Sequence, residues 1–248
     1  MVAAERRRMM IRDVTTHAGA VDRPLVRIPA GEVDLYGELE VPAGACGLVL
    51  FAHGSGSGRL SPRNRHVAQV LRAAGIGTLL FDLLTHGEEA DDIKTSVWRF
   101  DIGLLSERLA AATRWVLAQP ELGGLKIGYF GASTGAAAAL RAAVEIGADV
   151  STVVSRGGRP DLAGPALPLL ACPVLLIVGG LDEVVLHLNE EAMAAMTCDK
   201  QMRVVPGASH LFEERGKLDE VARIAADWFC GHLARPEEAG KPVSVGET

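Results

Sequence analysis

The sequence lacks the features that would tie it to nucleic acid, a membrane or a metal. Across 248 residues there is no long cluster of lysine or arginine, and the formal net charge is -6. Nothing supplies the phosphate-neutralising footprint that nucleic-acid binding needs. No stretch approaches the roughly 18 to 20 apolar residues required to cross a bilayer. The one basic run, Arg6-Arg7-Arg8, leads through Met9-Met10-Ile11 into Arg12 and Asp13 rather than into an apolar signal core, so no secretory signal is read there. The expectation is a soluble, cytoplasmic protein acting on small molecules. Four cysteines, Cys46, Cys172, Cys198 and Cys230, are widely spaced with no Cys-x-x-Cys pair. That excludes a zinc knuckle and a thioredoxin-like motif and leaves free thiols in a reducing compartment. His86 lies beside an acidic run at Glu88, Glu89, Asp91 and Asp92, but no His-x-x-His or His-Glu-x-x-His pattern accompanies it. No metal is expected.

What is present is a core. A hydrophobic content of 48% is ample for one α/β domain of this length. The pattern places that domain over residues 23–235, with polar, aperiodic stretches at 1–22 and 236–248 read as flexible tails. Strands are predicted at 25–28, 33–41, 46–52, 77–81, 125–130, 150–154, 174–178 and 202–205, and helices at 67–74, 102–118 and 218–233. Short apolar runs alternating with helical patterns indicate a mostly parallel sheet wrapped by helices. No internal repeat divides the chain.

One segment bears on chemistry. GYFGASTGAAAAL, residues 128–140, sets Ser133 between Gly131 and Gly135, after an apolar strand and before an alanine-rich helix. A dinucleotide loop would need the full Gly-x-Gly-x-x-Gly spacing after the first strand. This stretch lies mid-chain, and with tyrosines only at Tyr36 and Tyr129 no Tyr-x-x-x-Lys pair can follow it. A phosphate-binding P-loop fails because no lysine follows the glycines. A plain tight turn would also produce Gly-x-Ser-x-Gly. The strand-turn-helix setting instead matches a nucleophile elbow, in which small residues on both sides of the serine avoid backbone collisions.

A serine hydroxyl needs a histidine base, and that base needs a carboxylate to orient it. VLLIVGGLD ends a strand at Asp182, and RVVPGASH ends the last strand at His210. Ser133, Asp182 and His210 each follow a separate strand, in the chain order that elbow enzymes use. Upstream, the strand at 46–52 runs into His53-Gly54-Ser55-Gly56-Ser57-Gly58. The backbone N–H groups of Ser55 and Thr134 are the candidate oxyanion donors, while His53, upstream of the serine, is expected to brace the turn.

With FAHGSGSG, GASTG, GGLD and GASH in hand, residues 25–233 resemble an α/β-hydrolase of the dienelactone-hydrolase-like group. The resemblance implies a three-layer fold with an eight-stranded, mainly parallel sheet and cofactor-free Ser/Cys-His-Asp hydrolysis. Members named for dienelactone carry cysteine at the elbow, where this chain has Ser133, so an ordinary carboxylic ester or thioester is the expected substrate. A noncatalytic binding module on the same fold, or a peptidase or acyltransferase using the same triad, remain alternatives. The segment 155–173 is too short for a multi-helix cap, so an open site is expected. Arg156 and Arg159 leave the strand end beside the elbow and are candidates for an anionic substrate group. Trp98, on the connection 82–101, is a candidate for the pocket rim. The sequence leaves a homodimer open.

Overall fold

A computed structural model describes residues 25–234. The tails expected at 1–22 and 236–248 lie outside the described residues. Eight strands form one sheet: β1 (Leu25–Ala30), β2 (Val33–Glu40), β3 (Gly47–Ala52), β4 (Gly77–Phe81), β5 (Lys126–Ala132), β6 (Val150–Arg156), β7 (Val174–Gly179) and β8 (Lys200–Val205). Their spatial order is β1-β2-β4-β3-β5-β6-β7-β8. β1 and β2 pair antiparallel, β2 meets β4 antiparallel, and every other pairing is parallel. The central strands β3, β4 and β7 are buried at every residue, as expected for strands covered on both faces.

Among the described residues, six α-helices complete the layers: α1 (Pro62–Ala73), α2 (His86–Thr95), α3 (Ile102–Leu117), α4 (Thr134–Ile146), α5 (Glu183–Ala195) and α6 (Lys217–Leu233). Two cores result. One joins α3, α4 and part of α5 to the sheet through residues such as Leu109, Leu140 and Ala192, and the other joins α1 and α6 through Val67, Leu71, Ala225 and Phe229. This is the α/β-hydrolase architecture the resemblance implied.

Three helices exceed the sequence expectation, one of them α5, which the sequence did not predict. α1 starts at Pro62 rather than residue 67, because Ser61 caps it by accepting the Asn64 N–H and proline is compatible with the first helical turn. α2 occupies what the sequence left as an open connection. Its start is a capping box in which Thr85 and Glu88 exchange side-chain to backbone hydrogen bonds. The segment after β6 carries only 3-10 turns over Pro160–Leu169, broken at Gly164, so this segment supplies no helical cap.

Candidate active site

Parallel strands deliver their following loops to one edge of a sheet, and β3, β5, β6, β7 and β8 all do so here. Ser133 lies between β5 and α4 with φ +50° and ψ −121°. A serine seldom adopts such a backbone, and it marks strain held by its surroundings. Three hydrogen bonds hold it: its N–H donates to the Arg156 carbonyl at 3.3 Å, and its carbonyl accepts the N–H groups of Ala136 at 3.1 Å and Arg159 at 3.0 Å. The flanking glycines are required by space. A Cβ on Gly131 would collide with the Ala136 backbone, and one on Gly135 would collide with the carbonyl oxygens of Ala52 and His53. Alanines 136–139 are fully buried, which lets α4 lie against the sheet immediately behind the serine.

Asp182 follows β7 at the N-cap of α5, where an aspartate usually accepts hydrogen bonds from its own helix. Its side chain makes no such cap. The carboxylate instead receives His210 Nδ1–H at 2.6 Å. Because a carboxylate only accepts, this bond fixes the proton on Nδ1 and leaves Nε2 as the basic nitrogen. Strand-end backbone bonds bring the two loops together: Leu181 N–H donates to the Ala208 carbonyl at 2.9 Å, and Gly180 N–H to the Val205 carbonyl at 2.9 Å. The His210 loop is braced by Glu214, which accepts the Ser209 N–H at 3.0 Å. Hydrogen bonding from the Ser209 side chain, then from the Glu214 and Ser209 backbone, holds the Glu214 carboxyl below the ordinary carboxylate range. The His210 ring lies over Gly157, where an added Cβ would sit 3.7 Å from Cε1. Gly157 follows Arg156, whose carbonyl holds the Ser133 N–H, so the histidine and the elbow share the end of β6.

The loop after β3 supplies the other wall. His53 is buried; its Nε2 accepts the Leu83 N–H at 2.9 Å and its Nδ1–H donates to the Gly54 carbonyl at 3.1 Å. Burial lowers its pKa, against opposing effects from that carbonyl, Asp82 and Glu89. A neutral imidazole bonded at both nitrogens is a brace for the turn. Ser55 Oγ and Thr134 Oγ1 are 3.1 Å apart and hydrogen-bonded, joining the two residues whose N–H groups were read as oxyanion donors. As the first residue of α4, Thr134 has an N–H without an intrahelical partner.

Beside these two residues opens a cavity of about 150 Å³, lined by Ser55, Thr134, Leu84, Ile93, Leu105 and Arg99 among others. Arg99 of this lining escaped the sequence reading, and Asp92 was read only as part of the acidic run beside His86. Arg99 is pinned to the buried Asp92, with N–H···Oδ1 at 2.9 Å and Nε–H···Oδ2 at 2.6 Å. Burial alone would raise the Asp92 pKa, but the Arg99 hydrogen bonds outweigh it and hold the carboxyl below its ordinary range. The capping box at Thr85 and Glu88 was the available signal for the helix that carries Asp92.

The three residues expected to contact substrate are placed differently. Trp98 is absent from the cavity lining, and its Nε1–H donates to Asp91 at 2.8 Å. Arg159 is forked onto Asp161 at 2.8 and 2.7 Å, which raises its pKa and occupies its guanidinium. Arg156 is also outside the cavity lining and only 7% exposed. It lies two residues beyond Val154, a member of the α1/α6 core, and strand alternation turns it to that same buried face. Among the described residues there is no group of three or more potential metal ligands, and no helix long and apolar enough to cross a membrane.

A sequence model of the dienelactone hydrolase family matches residues 63–230. A Mycobacterium tuberculosis protein, provisionally named a phosphoribosyl transferase, is 53% identical over 225 residues, covering 89% of this chain and 50% of its own length. The chain thus spans about half the length of that curated relative. A crystal structure described as dienelactone hydrolase from Anabaena variabilis is 54% identical, covers 86% of this chain and 99% of its own, and superposes with a TM-score of 0.84. A Xanthomonas campestris structure described as a serine hydrolase without a lid shares the fold at 20% identity, with a TM-score of 0.67 over 92% of this chain and all of its own.

Proposed function

The chain belongs to the dienelactone hydrolase family, and on that premise we propose that it is a serine hydrolase of small carboxylic esters or thioesters. The observation that carries the reading is the 2.6 Å bond from His210 Nδ1–H to Asp182, set beside a serine held at positive φ. Ser133 Oγ attacks the substrate carbonyl while His210 Nε2 takes its proton. The N–H groups of Ser55 and Thr134 receive the developing oxyanion. His210 returns the proton to the leaving alcohol or thiol, leaving an acyl group on Ser133. Water, deprotonated by the same nitrogen, then attacks the acyl carbonyl and releases the acid, and the proton goes back to Ser133. No cofactor takes part in this sequence.

The cavity volume of about 150 Å³ supports a short acyl group. Four free thiols support a reducing, cytoplasmic setting. The phosphoribosyl transferase name is not carried over, because half of that relative's length lies outside the match. The test is turnover of short-chain p-nitrophenyl esters and acyl thioesters. Ser133→Ala should lose at least about a thousandfold in kcat with an unchanged circular dichroism spectrum. Equal turnover by wild type and variant would overturn the assignment.

A further inference from the structure

The turn that carries Ser55 is exposed at its tip and held by polar contacts at both ends. Ser57 N–H donates to the Gly54 carbonyl at 3.2 Å, and Gly56 sits at φ +64°. In a β-turn of this kind the second residue, here Ser55, keeps its N–H out of the closing bond. At the entry, His53 Nε2 accepts the Leu83 N–H. At the exit, Asp82 accepts the Arg59 N–H on Oδ1 at 2.7 Å and the Arg59 guanidinium on Oδ2. Residues 82 and 83, just beyond β4, therefore hold both ends of the turn. Asp82 is anchored in its own backbone, because its N–H donates to the Tyr36 carbonyl on β2 at 3.1 Å.

The fit on either side of the turn is close. A Cβ on Gly58 would lie 2.7 Å from Asp82 Oδ1, and one on Gly54 would lie 2.9 Å from the Ala132 carbonyl oxygen and 3.0 Å from the Ser133 Cβ. A shift at Asp82 therefore passes through the turn to the space between Ser55 and Ser133. The ion pair is poorly suited to a purely stabilising role. The Arg59 and Asp82 side chains are 25% and 24% exposed, and the Arg59 Nε is buried without a hydrogen-bond partner. A partly desolvated pair with an unmet donor contributes little to stability, and such a cost beside a reactive centre points to a role in the chemistry.

Resting on the hydrolase reading above, we propose that Asp82 is a positioning residue that, through Arg59, fixes the exit of the 54–57 turn and keeps the Ser55 N–H aimed at the forming oxyanion. It does not touch substrate, although it borders the cavity. A backbone donor stabilises an oxyanion when it is aimed in advance, and glycine at positions 54, 56 and 58 leaves this backbone with little preference of its own. The bond between the Ser55 and Thr134 hydroxyls at 3.1 Å ties the tip to α4, and Asp82 fixes the approach from the other end.

The experiment compares wild type with Asp82→Ala, which removes both acceptors, and Asp82→Asn, which keeps an acceptor for the Arg59 N–H and loses the ion pair. The readouts are kcat and KM for a short-chain p-nitrophenyl ester, inhibition by a trifluoromethyl ketone and by the matching methyl ketone, and hydrogen exchange of the Ser57 amide. Ser133 adds to the trifluoromethyl ketone to leave a tetrahedral oxyanion, whereas the methyl ketone forms no stable adduct. In Asp82→Ala kcat should fall about tenfold or more with KM within about twofold of wild type. Affinity for the trifluoromethyl ketone should fall by the same factor as kcat, with affinity for the methyl ketone unchanged. Asp82→Asn should lie between the two, and Ser57 exchange in Asp82→Ala should speed by about tenfold. Asp82→Ala with kcat and trifluoromethyl ketone affinity within about twofold of wild type would overturn the proposal. Equal weakening of both ketones would also overturn it, because Asp82 would then contact the ligand itself. If Asp82→Ala fails to fold, Gly58→Ala, whose methyl would press on Asp82 Oδ1, decides by the same criteria. If wild type hydrolyses no ester, the hydrolase reading falls, and Ser57 exchange still decides separately whether Asp82 orders the turn.

Discussion

The elbow and helix α2 flank the same cavity but are held by different physics. Around Ser133 the contacts are backbone on backbone: the Gly135 Cα faces the carbonyls of Ala52 and His53, the Gly131 Cα faces Ala136, and the alanines of α4 are fully buried. α2 buries a single residue, Asp92, and leaves Ile93 75% exposed. Polar latches hold it: Glu88 forked onto Arg108 at 2.6 and 2.9 Å, Asp92 on Arg99, and Asp91 on Trp98. Close packing fixes geometry to fractions of an ångström, whereas a helix with little apolar burial opens at low cost. In the proposed mechanism the reacting atoms therefore sit on the rigid side, and the wall that would meet the acyl group sits on the adjustable one.

That contrast breaks first at the proposed triad. Asp182→Asn should lower kcat by about a thousandfold or more while changing stability by less than about 1 kcal/mol, read by steady-state kinetics and urea unfolding. Next is the elbow backbone: Gly135→Ala forces a methyl against two carbonyls and should cost roughly 3 kcal/mol or more, with kcat falling alongside. A fully stable, active Gly135→Ala would mean that the elbow is not rigid.

The α2 side should respond more gently. Glu88→Gln should cost about 1 kcal/mol and alter KM and acyl-chain preference more than kcat for the best substrate, measured across a series of acyl lengths. The smallest effect is in pH. Burial pushes Glu88 up, but the Arg108 and Thr85 hydrogen bonds win and hold its pKa below the ordinary 4.5. A depressed carboxylate contributes stability that is fully present above its unfolded value and is lost as pH falls through the folded one. Acidification below pH 4.5 should therefore speed amide hydrogen exchange in α2 before it does so in α4. Simultaneous loss in both helices would erase the distinction.

The same division decides what could be read from the sequence. β3, β4, β5 and β7 are apolar runs whose burial comes from their own residues, so they stood out. Ser133 and Asp182 stood out because each follows such a strand, and His210 because it follows the Val204-Val205 end of β8 through Pro206-Gly207. α2 and α5 bury few side chains, Asp92 in one and Val185, Asn189 and Ala192 in the other, so neither carries a strong apolar period. The start of β8 was missed for a related reason: it is an edge strand, exposed at three of its six residues. Arg156 was read as a solvent-facing ligand for substrate. Its burial depends on which face of β6 meets Phe212, a tertiary contact between residues 56 positions apart that no local pattern encodes.

The central claim is that Ser133 is the nucleophile, activated through His210. The most direct measurement is covalent labelling with a fluorophosphonate, located by peptide mass mapping, in wild type, Ser133→Ala and His210→Asn. The account predicts one label on the peptide carrying Ser133 in wild type, none in Ser133→Ala, and labelling slowed by at least about a hundredfold in His210→Asn. Undiminished labelling of Ser133→Ala, or wild-type label found on a different residue, would contradict it.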